Sequence, residues 1–134
     1  MLPDFKFHHI GYVTDNIINT SAIYLKVGYK TGNIIIDPIQ QVKICFLEKE
    51  GNPKIELIEP LNEKSSVNKL LNKNGVSPYH VCYEVDDIEI AFEKLTKELE
   101  YIPLFRPVEA IAFDNRFICY LYKKEIGFIE IVNK

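Results

Sequence analysis

The sequence has few cysteines, no long apolar run and no excess of basic residues. Its three cysteines, Cys45, Cys82 and Cys119, contain no CxxC pair, and their odd number argues against a complete disulfide framework. The longest apolar run, 117–122, is far too short to span a bilayer. The N-terminus lacks a basic segment followed by an apolar stretch, so no signal peptide is expected. We therefore predict a cytoplasmic protein with buried, reduced thiols and no membrane partner.

The charge balance is slightly acidic. The chain carries 16 Lys+Arg and 19 Asp+Glu, a net charge of -3. Nucleic-acid-binding proteins normally present a strongly basic face, so no nucleic-acid partner is expected. The length of 134 residues fits one compact domain. A composition of 47% hydrophobic and 26% charged residues indicates an ordinary globular chain and argues against disorder.

The two halves of the chain repeat one pattern. Four pairs of segments match in the same order, with one short insertion: 9–12 with 80–83, 15–17 with 86–88, 44–49 with 118–123, and 55–58 with 129–132. Any single match between short apolar stretches is weak, whereas four in order are strong. An internal repeat of this kind predicts that one structural module occurs twice.

Each half alternates strand-like and helix-like segments. The predicted strands are 7–13, 34–36, 42–47 and 54–58, followed by 79–85, 103–105, 117–122 and 128–132. The first helix begins at Asp15 or Asn16, which are good N-cap residues, and ends at Gly28. It carries Ile18, Ala22 and Leu25 on one face.

The second half and the linker contain the other predicted helices. Asp86 or Asp87 caps a helix with helical spacing of its apolar residues, which are Ile88, Ala91, Phe92, Leu95 and Leu99. A short helix over 67–72 follows Ser65 or Ser66. The fold class is therefore α+β, with two βαβββ modules in a single domain, 1–134. Repeats 5–60 and 77–133 are joined by linker 61–76, and they should share a core because one half is too small to bury its own sheet.

The repeat relates two histidines and two glutamates. The chain has only three histidines, and His9 and His80 occupy matching positions on the first strand of each half. Glu56 and Glu130 match on the last strand, each between two aliphatic residues. A glutamate there points either to solvent or inward, and an inward carboxylate needs a strong partner. His8, on the face opposite His9, is expected to be structural or exposed.

Pairing of the two halves about a pseudo-twofold axis would bring these four side chains together. Two imidazoles and two carboxylates suit a divalent ion such as Zn, Ni, Co, Mn or Fe, with positions left for substrate oxygens. The simpler alternative is that each histidine is structural and each glutamate faces solvent. The coincidence of both pairs under one repeat favours the metal site.

Four segments carry a family resemblance. The stretches 8–12 (HHIGY), 54–61 (KIELIEPL), 79–88 (YHVCYEVDDI) and 127–131 (GFIEI) are similar to the vicinal oxygen chelate superfamily. Within it they resemble the branch of glyoxalase I and methylmalonyl-CoA epimerase. The resemblance implies the glyoxalase/bleomycin-resistance fold, curved mixed sheets around a metal site, and a homodimer. It implies one divalent metal ion (Ni, Zn, Co or Mn) bound by four residues: His9, Glu56, His80 and Glu130.

The resemblance favours a glyoxalase I-like lyase. Such an enzyme converts the hemithioacetal of methylglyoxal and a thiol into a lactoyl thioester through an enediolate that the metal stabilises. Glu56 matches the second ligand of glyoxalase I, and Ile44 stands where some epimerases have an acid–base carboxylate. The segment 112–116 lacks the glycine-rich run common in epimerases. Glu130 is the first candidate for the base and Glu56 the second, or the two act on opposite faces of the substrate.

Other functions remain as alternatives. One is epimerisation of methylmalonyl-CoA or a related acyl-CoA. Another is a non-catalytic small-molecule-binding protein of the resistance type, against which the intact ligand set argues. An extradiol dioxygenase needs an open position that Glu56 would block. Residues that could contact substrate are Arg106, Arg116, Lys123, Lys124, Phe113 and Tyr120, although solvated charge and core packing are the simpler explanations.

Overall fold

The structure is a computed structural model and describes residues 2–134. This part of the chain contains ten strands, three α-helices and one 3₁₀ helix. The elements are β1 (Lys6–Val13), α1 (Ile17–Lys26), β2 (Lys30–Thr31), β3 (Ile35–Asp37), β4 (Val42–Glu48), β5 (Lys54–Pro60), α2 (Val67–Asn74), β6 (Ser77–Val85), α3 (Ile88–Lys97), β7 (Ile102–Pro103), β8 (Val108–Ala110), the 3₁₀ helix (Ile111–Phe113), β9 (Arg116–Lys123) and β10 (Gly127–Asn133). The predicted α+β class and the repeated order of elements are confirmed.

The second strand of each predicted module is divided into two short strands. In the first half, β2 and β3 both pair with β4. In the second half, β7 and β8 both pair with β9. Two short strands, one starting before 103–105 and one after it, therefore replace the single strand predicted there. Strands of two or three residues are too short to show the alternation from which strands are predicted.

Residues 9–79 form one compact unit. Its strand order is β2-β4-β5-β1, with β1 parallel to β5 and β5 antiparallel to β4. Helix α1 packs on this sheet over a buried cluster: Ile17, Cys45, Leu47, Ile55 and Leu57. The predicted linker, including α2, lies within this unit.

The beginning of α1 is fixed by two side chains. The Asn16 side chain accepts a hydrogen bond from the Asn19 N–H at 2.9 Å, which confirms the predicted N-cap. The carboxylate of Glu59, at the end of β5, accepts one from the Ile17 N–H at 2.8 Å. The residues that this helix buries are Ile17 and Ser21. The apolar face that carries Ile18 is therefore exposed, with Ile18 itself 69% exposed.

Residues 80–134, together with 2–8, form the second compact unit. Its strand order is β6-β10-β9-β7, with β6 parallel to β10. Asp87 caps α3, and the side chain of Asn133 accepts a hydrogen bond from the Ile88 N–H at 2.8 Å, as Glu59 does for α1. Four of the five residues predicted for the apolar face of α3 are buried: Ile88, Ala91, Phe92 and Leu95. The fifth, Leu99, lies beyond the end of the helix and packs, partly buried, against the same cluster. The organisation of 1–134 as a single domain stays a prediction.

All three cysteines are buried, and none forms a disulfide. Burial raises the pKa of the Cys119 thiol to about 12, and the negative charges of Glu130 and Glu89 add to the shift. Burial also raises the pKa of Cys45, against a hydrogen bond to the Gly32 carbonyl. The expectation of buried cysteines is confirmed. Protonated, buried thiols are poor nucleophiles, and the reduced state of the cysteines stays a prediction. Within residues 2–134, no helix is both long and apolar enough to cross a membrane. The cytoplasmic location stays a prediction.

Alkaline pH is expected to destabilise the fold. Burial, followed by a hydrogen bond with Tyr12, raises the pKa of Tyr24 to about 12, and burial raises that of Tyr101. With Cys45 and Cys119, four groups hold their protons more tightly in the folded chain than in the unfolded chain. Their stabilising contribution is complete below the unfolded pKa values of 9.0 and 10.0 and is lost as the pH rises towards 12.

Urea unfolding between pH 8 and pH 11 measures this effect. The urea concentration at the midpoint of unfolding should fall steadily above about pH 9. The midpoint of Tyr24→Phe should fall less steeply because one of the four groups is removed. A midpoint that does not change over this range would contradict the assignment.

Candidate metal centre

The first histidine–glutamate pair lies in the unit formed by residues 9–79. His9 is on β1 and Glu56 on β5, and the parallel register places Gly11 beside Glu56. The Nε2 atom of His9 is 3.0 Å from Oε1 of Glu56. Both residues are buried, His9 at 0% and Glu56 at 1% exposure. Glu56 therefore points inward, although aliphatic residues flank it on both sides.

The second pair repeats this arrangement in the other unit. His80 is on β6 and Glu130 on β10, where the register places Cys82 beside Glu130. The Nε2 atom of His80 is 3.1 Å from Oε1 of Glu130. His80 is 3% and Glu130 is 1% exposed.

Burial excludes the alternative in which the two glutamates face solvent. A carboxylate removed from water is costly unless a partner compensates its charge, and each of these has an imidazole within about 3 Å. Each half of the chain therefore contains one buried histidine–glutamate pair. A buried histidine–glutamate pair adds no hydrophobic contribution to the stability of the fold. A chemical role therefore explains the two pairs better than a structural one.

Each pair fits one edge of a metal coordination sphere. Imidazole nitrogen and carboxylate oxygen are the ligands that zinc and its neighbours in the first transition series prefer. The nitrogen–oxygen distances of 3.0 and 3.1 Å are those of direct contacts between the two side chains. All four side chains offer a ligand atom of the right type.

An aromatic side chain accompanies each pair. Phe46 on β4 lies directly across from Glu56, and its ring meets the His9 ring edge-on, with centroids 6.0 Å apart. Tyr120 on β9 lies directly across from Glu130, and its ring meets the His80 ring edge-on at 5.1 Å. Phe46 was not among the residues predicted from the sequence, and Tyr120 was predicted only for core packing or a pocket. The alignment of 44–49 with 118–123 contained the signal, because it matches Phe46 with Tyr120.

Three other residues considered in the sequence contact side chains or backbone groups of the protein. His8 is half-buried and its ring packs against Phe113, with centroids 5.7 Å apart. Arg116 pairs with Glu84 at 3.2 Å and donates to backbone carbonyls. Arg106 lies over the Phe92 ring.

A separate pocket of about 590 Å³ lies beside α2. Its lining includes Asp15, Asn62, Glu63, Asn68 and Asn72, but none of the four predicted ligands.

Comparison with known proteins assigns the fold and the family. Residues 8–120 match the family model of the glyoxalase/bleomycin resistance protein/dioxygenase superfamily. The mitochondrial methylmalonyl-CoA epimerase of Dictyostelium discoideum is 30% identical over 129 residues, which covers 91% of this chain and 73% of that protein.

Two solved structures share the fold. A hypothetical protein from Bacillus halodurans C-125 has a TM-score of 0.86 and 29% identity, covering 98% of this chain and 95% of the other. A methylmalonyl-CoA epimerase variant from Streptomyces coelicolor, in complex with 2-nitronate-propionyl-CoA, has a TM-score of 0.84 and 20% identity, covering 96% of each chain.

The predicted glyoxalase I-like lyase, a lactoylglutathione lyase-like metalloenzyme, is wrong. The Dictyostelium discoideum relative, whose match covers 91% of this chain, is an epimerase. Epimerisation was the alternative that the sequence left open. Both reactions remove a proton beside chelated oxygens, so the same ligand types serve both and do not discriminate between them. Glu56, Ile44 and the segment 112–116 were therefore poor guides to the substrate. The resemblance itself is confirmed: the chain belongs to the glyoxalase/bleomycin resistance protein/dioxygenase superfamily, the vicinal oxygen chelate proteins.

Proposed function

We propose that the protein is a metal-dependent acyl-CoA epimerase that inverts the α-carbon of methylmalonyl-CoA or a closely related thioester. The observation that carries the proposal is the buried histidine–glutamate pair, present once in each half, in a chain that is 30% identical to an epimerase. The inverted carbon lies between a thioester and a carboxylate, and its proton is acidic because the thioester oxygen accepts the electron pair.

The metal centre is the first part of the proposal. One divalent ion, Ni, Zn, Co or Mn, would be bound by four residues: His9, Glu56, His80 and Glu130. When bound, such an ion supplies a positive charge that polarises the thioester carbonyl. Each imidazole lies within about 3 Å of its glutamate and restricts the position of the carboxylate.

The two glutamates are the proposed acid–base groups. Inversion requires a proton to leave one face of the α-carbon and another to arrive on the opposite face. We assign Glu130 as the first base and Glu56 as its counterpart, because the repeat supplies one carboxylate from each half. Glu130 takes the α-proton as the C–H bond breaks, and the electron pair moves to the thioester oxygen. The pair then returns to the α-carbon as that carbon takes a proton from the carboxyl group of Glu56, which forms the new C–H bond.

No further carboxylate is needed from β4. Ile44 stands where some epimerases have an acid–base group, and it is 3% exposed and paired with Ile58 across the strands. An aliphatic side chain cannot transfer a proton. The proposed reaction therefore depends on Glu56 and Glu130 alone for proton transfer.

Hydrogen exchange at the α-carbon tests the function. The purified protein, loaded with each of the four metals in turn, should incorporate deuterium from D₂O into methylmalonyl-CoA and racemise a single stereoisomer. Chelation should stop both, and adding the metal back should restore them. The control is methylglyoxal with glutathione, from which no lactoyl thioester should form.

Failure of exchange with every metal would overturn the proposal. A protein that binds no metal and catalyses no exchange would instead fit the non-catalytic small-molecule-binding alternative. The homodimer stays a prediction.

A further inference from the structure

One face of strand β5 changes from exposed to buried along its length. Side chains at alternate positions of a strand share a face, so Lys54, Glu56 and Ile58 lie on the same face of β5. The Lys54 side chain is 36% exposed, whereas Glu56 and Ile58 are buried. A ligand that moves from solvent along this face towards Glu56 therefore reaches Lys54 first.

The ammonium group of Lys54 is directed towards the aromatic neighbour of the first histidine–glutamate pair. Its Nζ atom lies over the Phe46 ring, 5.4 Å from the ring centroid. Phe46 is directly across from Glu56 on β4, and its ring meets the His9 ring edge-on. The apolar stem of a lysine covers apolar surface while its charged end stays in water. A positive charge therefore lies at the partly exposed side of the ring that accompanies this pair.

The fold does not require a cation at this position. The alignment that matches 55–58 with 129–132 places Phe128 in the position of Lys54. Phe128 pairs with Tyr122 across the strands, and the two rings pack with centroids 5.1 Å apart. In the first half, the corresponding contact is an ion pair between Lys54 and Glu48. Partly exposed ion pairs contribute little to stability, so a structural role accounts poorly for the charge of Lys54.

The ion pair with Glu48 leaves Lys54 able to bind a second anion. The Nζ atom of Lys54 is 3.2 Å from Oε1 of Glu48, whose side chain is 66% exposed. Water screens such a pair, and an ammonium group carries three N–H donors. An anionic group of a ligand can therefore bind to Lys54 beside Glu48 or in its place.

We propose that Lys54 binds the free carboxylate of the acyl group and thereby selects malonyl-type thioesters over monocarboxylic ones. This inference rests on the proposed epimerase function. In methylmalonyl-CoA the carboxylate is bonded to the α-carbon, the atom that Glu56 protonates in the proposed reaction. Lys54 and Glu56 are neighbours on one strand face, about 7 Å apart along the strand. The phosphates of coenzyme A are separated from the α-carbon by the whole pantetheine arm, so the carboxylate is the anion that fits this position.

Lys54→Met tests the inference by removing the charge while keeping an unbranched apolar stem over Phe46. By calorimetry on the metal-loaded protein, affinity for malonyl-CoA should fall about 10-fold, as for loss of a hydrogen bond between two charged groups. Affinity for propionyl-CoA, which has the same coenzyme A but no free carboxylate, should not change. In the exchange assay, KM for methylmalonyl-CoA should rise by a similar factor, with a smaller effect on kcat.

Lys43→Met is the matched control. Lys43 is also on the first unit's sheet, its side chain is 38% exposed, and it pairs with Glu59 at 3.5 Å. It lies on the other face of the sheet, because it alternates in phase with Cys45 and Leu47, on which α1 packs. This variant should bind both thioesters as wild type does, and thermal unfolding should show that both variants fold.

The outcomes separate this inference from the proposed function. If wild type exchanges the α-proton and Lys54→Met keeps its affinity for malonyl-CoA, the role of Lys54 alone is overturned. An equal loss of affinity for both thioesters also overturns it, because that result assigns Lys54 to the coenzyme A part of the ligand. A wild-type protein without exchange overturns the epimerase function and this role together.

Discussion

Glu130→Gln is expected to stop inversion of the α-carbon while leaving proton exchange from one stereoisomer. The amide is nearly isosteric and keeps an oxygen that can serve as a ligand, but it cannot accept the proton. Loss of a positioned acid–base group costs about 10²- to 10⁴-fold in rate. The base in the other half, Glu56, is retained, so one face of the substrate can still be deprotonated.

The repeat supplies the reciprocal variant. Glu56→Gln should exchange the proton of the opposite stereoisomer, and the double variant should exchange neither. The measurement is deuterium incorporation, by mass spectrometry or NMR, starting from each stereoisomer of methylmalonyl-CoA separately. Glu109→Gln, which changes an exposed strand glutamate, is the control and should behave as wild type. If both single variants lost exchange from both stereoisomers, the assignment of one base to each face would be contradicted.

His80→Ala is expected to cause a large loss of both metal affinity and stability. Loss of residues that only orient metal ligands already weakens metal binding by about 10- to 100-fold, so loss of a proposed ligand should exceed that range. The substitution also removes the imidazole 3.1 Å from the buried Glu130. Removing one partner of a buried pair costs about 3–5 kcal/mol.

Cobalt titration and urea unfolding measure these two effects. The visible spectrum of bound Co²⁺ should be lost in His80→Ala and in the repeat-related His9→Ala. Urea unfolding in the presence of a chelator should show the loss of stability without a contribution from metal. His8→Ala is the matched control, because His8 neighbours His9 on β1 but packs against Phe113. A wild-type cobalt spectrum in either His9→Ala or His80→Ala would remove that histidine from the proposed ligand set.

The sequence predicted the parts of the fold that depend on local chemistry. Asn16 and Asp87 were recognisable as helix caps because their side chains satisfy backbone N–H groups within the first turn. Four ligands, His9, Glu56, His80 and Glu130, could be proposed because the repeat places each residue type at the same point of its module. The repeat did not predict which histidine would lie beside which glutamate. A repeat converts weak single-residue signals into a joint one.

The features that the sequence did not predict depend on contacts distant along the chain. Ile18 is exposed because α1 packs on strands β4 and β5 through Ile17 instead. The spacing of apolar residues within a helix cannot show which of its faces will pack against a strand that is distant in the sequence. The substrate was misassigned for a related reason: residues that discriminate between thioesters lie outside the ligand motifs, which serve the proton transfer common to both reactions.

The short strands β2 and β7 also affect how the protein resists aggregation. Each is the terminal strand in its unit and is only two residues long, β2 containing Lys30 and β7 containing Pro103. A brief edge that carries a lysine or a proline is a poor template for an incoming strand, because it offers few backbone groups and adds charge or removes a donor. Fibril-like addition at these two edges is therefore disfavoured.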